Sequence, residues 1–505
     1  MTKTFCILPW IHLMVFPEGC VKICCFASRN IMQDGEPMSL YGSSIEEIWN
    51  SSHLRSIRRR MFRGEDVFEC AHCYQAEADT VNSQRINSNS RWKSGLGPLF
   101  YELVSESRLR DFAVDGLPIY LQLIPGNLCN LKCRICFPQY SSKIESDSVH
   151  SRWALRKYKA GSRSKGIRSK ARATIGLDGL SFVVQGMRRV KGLLSRLNGN
   201  FTQKHNSGAI KREPGHGEWR LGTEKWHQGY GVPECEPMGN DVSSRLPKEP
   251  WFKDRPWVFE VLLRKPERLR ALYLTGGEPM IQREAEDILG YLVQEGVAPQ
   301  VTLELNTNCT VVKESMLNKF YNFKRTYIGL SIDAYGSLYE YIRYPAKWHV
   351  ISKNISRLIS LPTDKFTVTA VPILQAYNVL DIVDLLRYLD KRGMGYGMEV
   401  ASAPWFITLG VLPSRVRLLA AGRLRAYANS DCPATGRSHV LSVADAIESV
   451  QDNCSRESLQ AFMLFTNDLD ATRGQNFRQV HPELLGMIEE EGFHWSGERC
   501  FFPPT

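Results

Sequence analysis

From Trp257 onward, short apolar runs alternate with stretches in which apolar residues recur every three or four positions, the signatures of buried strand and amphipathic helix. The pattern predicts strands at Ala271–Thr275, Val301–Asn306, Thr326–Ile332, Phe366–Val371 and Tyr396–Ala401. Between them it predicts helices at Ile281–Gln294, Glu314–Phe320, Ser352–Ile359 and Leu380–Arg392. Such alternation implies parallel pairing through right-handed crossovers. Upstream, the run IYLQLI at Ile119–Ile124 reads as one more buried strand. Six strands of this type are fewer than the eight of a closed barrel, so the expected fold class is α/β, a partial (β/α)6 barrel.

The rest of the chain departs from this rhythm. Residues 1–100 are short apolar pieces punctuated by cysteines, with a helix predicted at Ser44–Phe62. The tract His205–Pro250 has neither period and reads as loop, and from Pro413 onward several helices are expected. The expected domains are a cysteine module at 1–100, a barrel built from 115–140 and 257–410, an insertion at 141–256 and a helical region at 411–505. No apolar run approaches the roughly 20 residues that span a bilayer. The N-terminal stretch Phe5–Phe16 is broken by Cys6, Pro9 and His12, so neither a membrane protein nor a secreted one is expected. Fourteen clustered cysteines in 505 residues are too sparse for a disulfide scaffold and point to metal ligation in a reducing compartment, by default the cytoplasm.

Charge is concentrated in one place. Ser151–Arg212 carries sixteen Lys or Arg and one acidic residue, Asp178, a net +15 against +11 for the whole chain. Its basic residues are interleaved with Trp153, Tyr158 and Phe182, and Trp219, Trp226 and Tyr230 follow. That mixture suits phosphate neutralisation and base stacking, while its bland counterpart is a solvated tract with small local cores.

The strongest chemical signal is Cys129, Cys133 and Cys136, spaced C-x3-C-x2-C on the loop after the Ile119 strand. Three thiolates hold three irons of a 4Fe-4S cube and leave the fourth open to a small molecule. Zinc would need a fourth ligand from farther away, such as His150. With Phe137 after the last cysteine, the loop resembles the radical S-adenosylmethionine (SAM) superfamily. In that resemblance Gly276, Gly277 and Glu278 correspond to the GGE motif that holds the methionyl amino group of SAM. Asn306, Asn308, Ser331 and Asp333 correspond to polar contacts to its ribose and carboxylate, and Arg343 in YIRYP to an arginine facing the carboxylate. The resemblance implies SAM and a 4Fe-4S cluster as cofactors, with an electron donor such as flavodoxin or ferredoxin as partner. It also implies reductive cleavage of SAM to a 5′-deoxyadenosyl radical that abstracts hydrogen from an unactivated carbon.

A second set lies near the start. Cys6, Gly19 and Cys24 in CILPWIHLMVFPEGCVKICC resemble the C-x(9-15)-G-x4-C opening of the auxiliary-cluster domains called SPASM and twitch. Cys70 and Cys73 in CAHCYQAE supply a further pair, so the resemblance implies a second, auxiliary 4Fe-4S cluster on four thiolates. Asp79 stands where a full SPASM domain would continue with cysteine, which places the module nearer the twitch type. Cys20 and Cys25 are rival ligands, and zinc on the same four thiols is the competing reading. Of the isolated cysteines, Cys309 sits nearest the site motifs.

For substrate, 139 residues separate Cys136 from Gly276 where the family has a helix and a strand, and the inserted residues hold the +15 stretch. The reading preferred from sequence is a nucleic-acid substrate, most specifically an isomerase of DNA thymidine hypermodification of the kind found in bacteriophages. The alternatives are a peptide-modifying radical SAM enzyme forming a cross-link, thioether or epimer, and a non-catalytic zinc protein that binds nucleic acid.

Overall fold

One sheet sorts the polar from the apolar residues of the chain. In the computed structural model, which describes residues 2–80, 83–154, 263 and 265–501, its strands are β1 (His12–Val15), β2 (Val21–Lys22), β3 (Tyr120–Leu123), β4 (Ala271–Leu274), β5 (Thr302–Thr307), β6 (Arg325–Leu330) and β7 (Phe366–Ala370). A short pair, β8 (Ile373–Leu374) and β10 (Glu399–Val400), stands apart, and β9 (Gly395–Tyr396) closes the main sheet, whose order is β9–β7–β6–β5–β4–β3–β1–β2. Every neighbouring pair in it is parallel except β1 with β2. The fold is α/β, an open parallel sheet with helical crossovers, as the alternating pattern predicts.

Register explains the composition of the strands. Leu13, Leu121, Leu272, Leu303, Thr326 and Phe366 form one cross-strand row, and Val15, Leu123, Leu274, Leu305, Ile328 and Val368 form the row two residues on. The row between them is Met14, Gln122, Tyr273, Glu304, Tyr327 and Thr367. Because side chains alternate across a strand, one face of the sheet is aliphatic and the other polar and aromatic. On the polar face the helix Gln84–Leu96 contributes Arg91, which pairs with Glu304, and Trp92, whose ring lies 5.2 Å from Tyr120.

Several expectations are revised. β1 and β2 come from the N-terminal cysteine region, so the sheet has eight strands and not six: β1 adds to the edge of β3 in parallel register. The predicted Tyr396–Ala401 strand divides at Gly397, its first half pairing with β7 and its second with β8. The predicted Ser44–Phe62 helix is two helices, Ile45–Trp49 and Ser52–Arg63, because Ser51 caps the second by accepting from the Leu54 amide. Downstream, Ser414–Ser430, Ala434–Ser449, Arg456–Arg473 and Pro482–Glu490 form the expected helical region.

The described residues belong to one compact unit; most of the expected insertion lies outside them, including Tyr158, Phe182, Trp219, Trp226, Tyr230 and Cys235. Trp153, read from sequence as a base-stacking candidate, is instead a core residue. It is fully buried, donates its indole N–H to Asp468 at 2.8 Å, and packs edge-on against Phe406, Phe465 and Phe501.

Candidate active site and auxiliary thiol cluster

Four consecutive strands, β3 to β6, deliver one set of side chains to their carboxyl ends. The loop after β3 carries Cys129, Cys133 and Cys136, and backbone bonds from Lys132 N to Tyr344 O (2.7 Å) and Arg134 N to Ile342 O (2.9 Å) pin it down. After β4 come Gly276 and Gly277, at φ +81° and +56°. A Cβ would stand 2.3 Å from Ile124 Cγ2 at the first and 2.5 Å from the Leu128 carbonyl at the second, so only glycine lets this turn approach the cysteine loop. The Glu278 N–H closes the contact by donating to Leu128 O at 2.9 Å.

The Glu278 carboxylate is engaged by its own chain: it accepts from Thr307 Oγ1 (2.7 Å), the Asn308 amide (2.6 Å) and the Met280 amide (3.1 Å). Burial raises its pKa to about 7, against the lowering effect of those donors. Glu278 thus fixes the end of β5, and Asn308, so placed, lays its Nδ2 3.8 Å from Cys129 Sγ and 2.9 Å from Asn130 Oδ1. From the end of β6, Asp333 pairs with Arg343 (Oδ2 to Nε, 2.8 Å), and Arg343 Nη1 lies 3.8 Å from Cys133 Sγ. The other Asp333 oxygen accepts the Ile373 amide at 3.0 Å, which ties β8 to the site. Ser331 follows β6 directly, its amide bonded to Thr307 O.

Asn306 takes a different position from its expected companions. Its Nδ2 donates to Tyr273 OH at 2.8 Å on the polar face of the sheet, and Gly329 on the neighbouring strand leaves room for it, since a Cβ there would meet Asn306 Oδ1 at 2.1 Å. Cys309 lies in the core on a left-handed turn at φ +61°.

The three site thiols act on one another. Burial pushes Cys133 up to about 12 and raises Cys136 further, with charge repulsion among the thiols adding and Arg343 opposing. A group that shares the thiolates' charge relieves both costs, which is what an iron-sulfur cluster does. In the N-terminal region Cys24 is raised well above its usual value by burial and then by Cys25, Cys73, Cys70 and Cys6. Cys6, Cys24, Cys70 and Cys73 are all buried in this region. Burial also pushes Cys25 up, with Cys73 and Glu399 adding and Lys22 opposing, and Cys25 packs against the small apolar cluster of Met14, Phe16 and Ile124. The backbone of Cys20 forms an isolated antiparallel β-bridge with Ser39. Among the described residues no three His, Cys, Asp or Glu side chains are gathered closely enough to hold a metal ion.

The sequence reading missed the residues that hold the cysteine loop from behind. Arg134, fully buried within CRIC, donates to Asp470 Oδ1 (2.5 Å) and Gln475 Oε1 (2.9 Å), and its guanidinium stacks 3.8 Å from the Tyr341 ring. Arg473, also buried, reaches His150 Nδ1 at 3.0 Å and lies near enough to Cys133 to lower its pKa. The only hint in sequence was an arginine between two cysteines of the loop; its partners Asp470 and Gln475 lie 336 and 341 residues away.

Comparison with known proteins bears on the N-terminal region. Residues 6–74 match the SPASM family, an iron-sulfur cluster-binding domain. The matched segment spans Cys6, Cys24, Cys70 and Cys73, and it shares a sheet with the rest of the strands through β1. No curated protein matches the chain. Among solved structures, anSMEcpe with bound AdoMet and Cp18Cys peptide is similar at 13% identity and TM-score 0.26, over 32% of this chain and 47% of that one. Streptococcus suis SuiB bound to S-adenosylmethionine is similar at 10% identity and TM-score 0.33, over 74% and 63%. SuiB bound to precursor peptide SuiA gives 10% and 0.30, over 84% and 67%. The chain thus spans about half the length of anSMEcpe.

Proposed function

We propose that the chain is a radical SAM enzyme with an auxiliary cluster, and that its substrate is a peptide. The observation that carries the first part is the meeting of three thiols on one loop with the glycine turn, Asn308 and the Asp333–Arg343 pair, from four successive strands. Cys129, Cys133 and Cys136 would hold the site cluster, and Cys6, Cys24, Cys70 and Cys73 the auxiliary one. With SAM bound and one electron supplied by a flavodoxin- or ferredoxin-type donor, such a site provides a carbon-centred radical that abstracts hydrogen. The chain's own residues do the placing. Gly276 and Gly277 bring the backbone close, Glu278 locks the turn to β5, and Arg343 offers positive charge beside Cys133.

Peptide is preferred to nucleic acid because four of the cations around the site are already committed. Arg91 pairs with Glu304, Arg134 with Asp470, Arg343 with Asp333 and Lys132 with Asp147, which leaves none of these four for a phosphate. The nucleic-acid reading rests on the +15 of Ser151–Arg212. Two measurements test the proposal. Anaerobic protein with SAM and dithionite should form 5′-deoxyadenosine, and Cys133→Ala should abolish it; retained formation in that variant overturns the cluster assignment. Binding of the full chain to duplex DNA over a salt series separates the substrates: a steep loss of tight binding with rising salt would favour nucleic acid, and weak, flat binding favours peptide.

A further inference from the structure

Gln282 stands between the two loops that build the site. It is the N-cap residue of the helix Arg283–Gln294, on extended backbone at φ −79° and ψ 124°. An N-cap side chain usually bonds to its own helix, but that of Gln282 does not. It turns toward the loops and is 2% exposed. Its Nε2 lies 3.1 Å from Gly126 O, on the segment leading into Cys129, and 3.1 Å from Gly276 O in the glycine turn. A third carbonyl, Leu128 O, stands at 3.5 Å and already accepts the Glu278 N–H at 2.9 Å. An amide nitrogen carries two protons, so each of the two nearer carbonyls receives one, and a single side chain joins the cysteine loop to the glycine turn. The carbonyls also fix which way the amide points, because its oxygen in the same place would face three acceptors.

Both loops are shaped around this nitrogen. Gly126 O and Leu128 O point to it, while Asn127 O, between them, accepts the Ser142 amide at 2.7 Å on the other side. The next residue is Cys129, whose own amide reaches Ser142 Oγ at 3.3 Å. In the glycine turn a Cβ on Gly277 would stand 2.5 Å from Gln282 Nε2, so the turn closes on the amide as tightly as it does on the cysteine loop. The Gln282 Oε1 is buried without a partner. A buried carbonyl oxygen with no donor costs stability, so the side chain is suited to its place by its N–H2 group alone. Methionine fills similar space without a donor, and asparagine is one methylene too short to reach both loops.

We propose that Gln282 is a positioning residue of the SAM site, whose N–H2 group sets the separation between the cysteine loop, which would carry the cluster, and the glycine turn, which would carry the methionyl end of SAM. The role rests on the radical SAM reading above for what is bound there, whereas the clamp between the loops does not depend on it. A ligand that has to reach both loops at once tolerates little change in their spacing, so the clamp acts on SAM affinity.

The test uses the full chain in two states. In the reduced apoprotein, hydrogen exchange followed by mass spectrometry reads the Glu278 amide, whose bond to Leu128 O crosses between the loops. Gln282→Met should speed exchange there about tenfold and leave the amides of β5 and β6 unmoved. In the chain reconstituted anaerobically with iron and sulfide, the same variant should bind SAM about tenfold more weakly by calorimetry. In 5′-deoxyadenosine formation with dithionite, the loss should fall on KM for SAM and not on kcat. Gln282→Asn should show the same local change in smaller degree, and it decides alone if Gln282→Met does not fold. Unchanged exchange at Glu278, faster exchange spread equally over β5 and β6, or a loss confined to kcat overturns the proposal. The two readings stay separable: a wild-type chain that neither binds SAM nor forms 5′-deoxyadenosine, with Glu278 loosened in the variant, sinks the radical chemistry alone, and 5′-deoxyadenosine formed by a wild-type chain whose variant is not loosened sinks the clamp alone.

Discussion

Replacing Asp470 by asparagine should loosen the cysteine loop from a distance. Asp470, on the helix Arg456–Arg473, accepts from Arg134 Nη2 (2.5 Å), Tyr341 OH (2.9 Å) and the Phe477 amide (2.6 Å). Arg134 has a side-chain exposure of 0% and Asp470 of 12%, so the pair is screened little by water. Asparagine keeps an oxygen for Tyr341 or Phe477 but leaves the guanidinium without its carboxylate. Removing one member of a buried pair typically costs 3–5 kcal/mol, and the partial exposure of Asp470 puts the expected cost at about 3 kcal/mol. Urea unfolding of the reduced apoprotein, followed by tryptophan fluorescence, reads this as a lowered midpoint at unchanged slope. The double variant Arg134→Met with Asp470→Asn should be more stable than Asp470→Asn alone, because the stranded charge is gone. A cost below about 1 kcal/mol for the single variant, or a double variant that loses the sum of both, would refute the reasoning.

Three further outcomes are expected. Arg473 is a buried cation near Cys133 whose Nε and Nη1 lack partners, so Arg473→Gln should make reduction of the site cluster about tenfold less favourable, a midpoint about 59 mV lower in an EPR-monitored titration, while Arg473→Lys should stay near wild type; an unmoved midpoint in the glutamine variant excludes the effect. Burial would raise the Glu69 pKa, but bonds from His53 and Arg29 outweigh it and hold the carboxyl at about 2. A depressed pKa contributes stability above the ordinary value of 4.5 that is lost as pH falls toward 2, so the gap between wild type and Glu69→Gln, no more than about 3 kcal/mol, should shrink below pH 4.5; a gap independent of pH contradicts the assignment. Replacing Cys70 and Cys73 together with alanine should remove only the auxiliary share of the iron, and unchanged iron content would remove these residues from the ligand set.

Much of the barrel was legible because its signals are local. Alternating strands and helices are written in periodicity, and the helix Glu314–Phe320 is found where the pattern places it. The Gly276–Gly277 turn is legible because a left-handed, crowded backbone admits no other residue. The C-x3-C-x2-C spacing points to a cluster for a like reason: one short loop can bring three thiols together.

What only the tertiary structure decided involves partners far apart in the chain, where sequence spacing carries no information. β1 joins the sheet at β3 across more than a hundred residues, which makes the cysteine module part of the barrel and sends Arg91 to Glu304. Trp153 reads as part of a basic tract and is core because Phe406, Phe465 and Phe501 enclose it. Cys24 and Cys25 are indistinguishable as neighbours in sequence, and only the fold sets their surroundings: Cys24 is buried while Cys25 keeps some exposure and packs beside Met14, Phe16 and Ile124. The sequence by itself determined which chemistry the loops can support. The fold determined which side chains stand next to it, because burial and charge pairing are settled only when distant segments pack.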